Sequence, residues 1–129
     1  MEDPLITSLE VAAENAGDIS EEVYKRYFAR CPGSEALMSH IDHLVRGKML
    51  NEVFRLVMLP DFTAEQQYLD FEVKNHKLAY SVEPHMYRNL LSALRDVVRE
   101  ASGEAWDDAT ERAWQARIDT LIAEIEARI

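Results

Sequence analysis

Apolar residues recur at spacings of three and four along nearly the whole chain. Most of the few glycines and prolines fall between these runs rather than within them. There are only four of each, and Gly17, Pro32-Gly33, Pro60, Pro84 and Gly103 cut the 129 residues into helix-sized pieces. Proline cannot donate the hydrogen bond a helix interior needs, and glycine favours helix ends. No segment sustains the period-two alternation of a half-buried strand, and there is no repeat or low-complexity tract. These patterns predict an all-α fold, with residues 1–129 forming one domain large enough for a real core.

The pieces can be placed one by one. Leu5, Leu9 and Ala12 mark a short first helix. Ile19, Val23, Tyr24, Tyr27 and Phe28 mark a second, capped near Asp18 or Ser20 and stopped by Pro32. A third is expected from Ser39 to Met58, with Leu44, Met49, Leu50, Val53, Phe54 and Val57 facing inward. Thr63 with Gln66 reads as a capping box for the helix carrying Tyr68, Leu69, Val73 and His76. Pro84 opens the next, with Tyr87, Leu90, Leu91, Leu94 and Val98 on its inner face and Gly103 at its end. Asp107 or Asp108 starts the last, which presents Trp114, Ile118, Leu121, Ile122 and Ile125.

Charge narrows the function classes. There are 24 acidic against 14 basic residues, a net charge of −10. Non-specific nucleic-acid binding needs a basic footprint, and adsorption to anionic membranes needs positive charge, so neither is expected. No apolar run approaches the roughly 20 residues of a membrane span. Met1-Glu2-Asp3-Pro4 lacks the basic start of a secretory signal, and Cys31, the one cysteine, cannot form an internal disulfide. A cytoplasmic location is the expectation. There is no GxGxxG, P-loop, HExxH or serine nucleophile elbow. The acid pairs Glu21-Glu22 and Asp107-Asp108 suit helix starts better than a catalytic dyad.

Three segments carry a resemblance. Val23-Tyr24-Lys25-Arg26-Tyr27-Phe28-Ala29-Arg30-Cys31-Pro32 resembles the FYxRxFxxxP segment of the second helix in bacterial haemoglobins. Asn75-His76, followed by Pro84-His85-Met86-Tyr87, resembles the family's proximal histidine with the proline and aromatic residue that open the next helix. Ser102-Gly103-Glu104-Ala105-Trp106 with Ala113-Trp114 is similar to the stretch leading into its last helix. In order and spacing these reach from about residue 20 to 125, and the chain is identified as resembling the bacterial single-domain globins, with a shortened first helix.

The resemblance implies haem b ligated by His76, with a sixth iron position for a diatomic gas such as O2, NO or CO. An imidazole at a helix end beside an apolar crevice suits that role. Carried over by position, Tyr24 matches the distal hydrogen-bond donor, Met49 the distal residue usually His or Gln, and Val53 the apolar residue restricting the ligand. Tyr87 matches the proximal aromatic. Met38, Phe54 and Leu91 complete the expected haem contacts. NO detoxification or a redox or sensing role would draw electrons from an external reductase. Two positions depart from the family: Met38 replaces the phenylalanine that packs on haem, and Glu72 replaces an apolar residue one turn before His76.

Each assignment has a plainer reading. His76 alone is an ordinary helix-terminal histidine, Tyr24 a core tyrosine with one hydrogen bond, and Met38 and Met49 soft packing residues. His40 and His43 suit a solvated corner, and Arg46 and Lys48 a solvated helix face or haem propionates. Trp106 and Trp114 are core anchors. The alternative function is a haem-free globin-like interaction or signalling module working through a helical homodimer interface.

Overall fold

A computed structural model describes residues 3–129; Met1 and Glu2 lie outside the described residues. Seven α-helices follow one another: α1 Pro4–Ala16, α2 Ser20–Arg30, α3 Ser34–Leu37, α4 His43–Val57, α5 Gln66–Tyr80, α6 Pro84–Ser102 and α7 Asp108–Glu126. Two 3-10 turns, Thr63–Glu65 and Gly103–Ala105, lead into α5 and out of α6. There is no strand among the described residues.

Local chemistry sets most ends. Asp3, Asp42 and Asp107 cap α1, α4 and α7 through side-chain oxygens that accept from Leu5, Val45 and Thr110 backbone N–H groups. Gly17 and Gly103 end α1 and α6 at φ 66° and 57°, where a side chain would be strained. Ser20 N–H donates to Asp18, but the N-cap of α2 is Ile19, which makes no side-chain cap bond, so the cap expected at Asp18 or Ser20 is not formed.

Three further expectations need correction. The helix expected from Ser39 to Met58 begins only at His43, because Asp42 caps it and the chain from Met38 to Ile41 turns. Leu44 and Met49, both expected inside, are exposed. Thr63 and Gln66 form no capping box: Asp61 accepts the Thr63 N–H, and the Gln66 amide donates to the Phe62 carbonyl.

Helix α6 is the spine, packed along α1, α2 and α7. It buries Met86, Leu91, Ala93, Leu94, Val97 and Val98 against Leu5, Ala12, Val23, Tyr27, Trp114, Ile118 and Leu121. A polar network crosses this core. The Trp114 indole N–H donates to Ser8 Oγ at 2.8 Å, Ser8 Oγ donates to the Leu5 carbonyl at 2.6 Å, and Ser102 Oγ donates to the Ser8 carbonyl at 3.2 Å. All three side chains are buried, so each bond offsets a desolvation cost.

Helices α4 and α5 stand apart from this arrangement. Their backbones are not closely packed on each other, and they meet through side chains such as Arg55 and Tyr68. α4 rests on α2 and α7, and α5 rests on α7 and buries only Leu69 and Val73.

Candidate functional site

The faces that α4 and α5 leave unshared carry the candidate site. Along α4, Val45, Met49, Val53 and Leu56 fall on one stripe at helical spacing. Val45 is 43% exposed and Met49 36%, whereas Leu56 on the same stripe is buried. Val53 and Phe54 are half-buried and pack against the core. Along α5, Leu69, Glu72, Val73 and His76 share a face. Tyr87, half-buried, approaches His76 from α6, and Leu91 of the same helix is buried in the core.

His76 is held at both its backbone and its ring. Ser81, at φ 56°, ends α5 in the left-handed region, and its N–H and that of Val82 both donate to the His76 carbonyl. The last turn is thereby closed around this residue. The ring Nδ1 lies 3.0 Å from Tyr87 Oη, and the two rings tilt at 47° with centroids 5.8 Å apart. Tyr80 meets the imidazole edge-on at 6.5 Å. The other nitrogen, Nε2, lies 3.6 Å from Glu72 Oε2, too far for a good hydrogen bond.

The electrostatics follow from this setting. Burial lowers the His76 pKa, and the nearby Glu72 charge only partly offsets it. The ring is therefore neutral at pH 7, with one nitrogen lone pair to offer. Tyr87 can donate to Nδ1 or accept from it, whereas the Glu72 carboxylate only accepts. When Nδ1 carries the proton and donates to Tyr87, Nε2 is left as a bare donor atom. Burial also pushes the Tyr87 hydroxyl up to about 12.

Tyr24 lies on α2 and is buried. Its hydroxyl donates to the Arg46 carbonyl of α4 at 2.8 Å, and burial pushes its pKa up to about 12. The group is thus engaged with the helix backbone. Arg46 donates to the Met38 carbonyl at 2.7 Å and lies over the Phe28 ring at 5.2 Å, so its place is structural rather than a solvated face. Met38 packs half-buried against the core. His40, His43 and Lys48 are exposed. A cleft of about 540 Å³ lies beside Tyr24, lined also by Lys25, Phe28, His43, Arg46 and Gly47; His76 is not among its lining residues.

The structure therefore brings His76, Tyr87 and Glu72 together, with Val73 on the same face of α5, and leaves Met49 and Val53 on a stripe of α4. It spends the Tyr24 hydroxyl on α4. The Glu72 contact follows from its position one turn before His76, a spacing readable in the sequence. The Arg46–Phe28–Met38 cluster left no such signal, because it joins residues from three separate segments.

The globin family model covers residues 21–125 of the chain. This protein belongs to the globin family. Its backbone is similar to that of protein PA3967 from Pseudomonas aeruginosa PAO1, itself described as structurally highly homologous to a human hemoglobin. The TM-score is 0.72 with 23% identity, over 98% of this chain and 95% of that one. At that identity the likeness establishes the globin fold alone. No curated protein is significantly similar to it in sequence. No helix among the described residues of this globin is long and apolar enough to cross a membrane.

Proposed function

We propose that this globin binds haem b through His76 Nε2 and holds a diatomic gas on the opposite side of the iron. The observation that carries the reading is the anchoring of His76: a neutral, half-buried imidazole whose Nδ1 is oriented by Tyr87 while Nε2 is free of any close hydrogen bond. Outer hydrogen bonds of this kind fix the tautomer and rotation of a ligating histidine. The donor set also fits. Among the described residues no three His, Cys, Asp or Glu side chains converge on a bare metal ion, so a single imidazole suits an iron whose other ligands come from a porphyrin. The exposed apolar residues Val45 and Met49 on α4 suit contact with a flat apolar group.

When bound, the haem supplies an iron with one position open to a gas ligand. The chain's residues would do the rest. Tyr87 orients the imidazole. Met49, Val53, Phe54, Leu91 and Met38 supply apolar surface that excludes water. Tyr24 serves as a distal donor only by releasing the Arg46 carbonyl; left in place, it fixes α2 to α4. Residues 1–129 would act as one globin domain in the cytoplasm. Electrons for any NO-detoxifying, redox or sensing role would come from a separate reductase.

A second reading has one observation in its favour. Phe71 and Leu78, 64% and 71% exposed, lie on one outward face of α5. A haem-free interaction module would use such a face in a helical homodimer. One experiment separates the two. Purified protein is titrated with haemin, reduced and exposed to CO. A Soret band that shifts with CO and is lost in His76→Ala supports the haem reading. A protein that takes up no haemin, or binds it equally well as His76→Ala, refutes it.

A further inference from the structure

Glu72 is the feature the gas-binding reading leaves unused. It sits one turn before His76 on the same face of α5, and the side chains of the two are 29% and 27% exposed. Acidic residues elsewhere on the protein are commonly matched by arginine: Asp70 with Arg128, Glu65 and Glu52 with Arg55, Asp96 with Arg30, Arg95 and Arg99. Glu72 has no arginine or lysine within 4 Å among the described residues. Its one basic neighbour is the His76 ring, on the Nε2 side.

An ordinary surface glutamate on a helix would be unremarked. Two facts set this one apart. Its carboxylate lies beside the nitrogen that would bind iron, not beside Nδ1, where an acceptor would merely orient the ring. Its field is also felt by the half-buried hydroxyls of Tyr87 and Tyr68, both of which it helps push up. A charge in so partly desolvated a place is poorly screened.

We propose that Glu72 tunes the iron held at His76, favouring its ferric over its ferrous state. This inference rests on the haem reading. Ferric haem carries one more positive charge than ferrous haem, so a fixed negative charge near the ligating nitrogen stabilises the oxidised form. The couple is Fe(III) plus one electron giving Fe(II), with the electron supplied by the reductant. Removing the charge makes that reduction easier. It also removes a polar group from an otherwise apolar face, so an apolar replacement should hold haem longer. Glu72 is thus a tuning residue and not a ligand.

The test is a mediated dithionite titration of haemin-loaded wild type, Glu72→Gln and Glu72→Leu, followed optically, with the exposed Glu104→Gln as control. Glu72→Gln keeps the shape and removes the charge; Glu72→Leu restores an apolar residue. Both should shift the equilibrium at least tenfold toward the ferrous state, a rise in midpoint of about 59 mV for one electron. Glu104→Gln should not move it, and haemin loss should be slower in Glu72→Leu than in wild type. Haemin held through His76 with Glu72→Gln at the wild-type potential overturns the role of Glu72 and leaves the haem reading intact. Failure of wild type to take up haemin, or uptake indifferent to His76→Ala, overturns both.

Discussion

Replacing Tyr87 with phenylalanine deletes one oxygen atom and leaves the ring that packs on His76. The lost contact is the 3.0 Å bond between Nδ1 and Oη. A neutral hydrogen bond is worth about 0.5–1.5 kcal/mol net, or about two- to twelvefold in an equilibrium constant. Outer partners of metal-bound histidines cost roughly 10–100-fold in metal affinity when removed. The ranges meet near tenfold, so Tyr87→Phe should lose haemin about tenfold faster than wild type. The assay is transfer of haemin from loaded protein to an excess of a tight-binding apoglobin, followed at the Soret band. Tyr80→Phe is the control, because Tyr80 touches the imidazole only edge-on at 6.5 Å and should leave the rate unchanged. Far-ultraviolet circular dichroism checks that both variants keep the wild-type helix content. A Tyr87→Phe rate within twofold of wild type, with helicity intact, would refute the claim that this hydroxyl orients the ligating ring.

Two further predictions concern the fold. Ser8→Ala strands the indole N–H of fully buried Trp114, which should cost about 1–3 kcal/mol and lower the melting temperature by roughly 4–11 °C for a domain of this size; an unchanged melt would show that the network contributes nothing. Asp107 caps α7, and its bonds to the Thr110 N–H and hydroxyl hold its carboxyl below the usual carboxylate range. A depressed folded-state pKa gives stability that is complete above the unfolded value of about 3.9 and is lost as pH falls toward the folded one. Asp107→Asn should therefore narrow the gap between acid and neutral melting temperatures, and a gap equal to wild type would count against the cap.

Legibility varied with the kind of interaction. The inner face of α6 was readable because Leu91, Leu94 and Val98 follow a 3.6-residue period that burial then imposes. The ends set by Pro84, Gly103 and Asp107 were readable for the same reason, since each is a local rule of backbone chemistry. The start of α4 was misplaced because apolar spacing runs on through Met38 and Ile41, while one side-chain oxygen, on Asp42, decides where the helix begins. Leu44 was misassigned for a related reason: periodicity shows that a stripe exists, but neighbouring helices decide which stripe is covered. At the site, the position of His76 was legible from the proline and tyrosine that follow it. The Nδ1 contact with Tyr87 was not, because it depends on how α5 lies against α6.

That placement of α5 has a physical logic of its own. Helix α5 forgoes most of the apolar burial that fixes helices elsewhere. α5 buries only Leu69 and Val73, whereas α6 buries eight residues. Polar ties take over the positioning. Near its start, Arg128 of the C-terminal turn bonds Asp70 at 2.7 Å and Gln66 at 2.5 Å. From α4, Arg55 reaches Glu65 and lies over the Tyr68 ring at 4.9 Å. Near its end, Tyr87 of α6 holds the His76 ring. The ties join α5 to α4, to α6 and to the turn after α7, and each acts through an arginine or tyrosine side chain. Direct packing brings helix axes to about 8–10 Å. Ties of this length let side chains, rather than close backbone packing, position α5 against its neighbours.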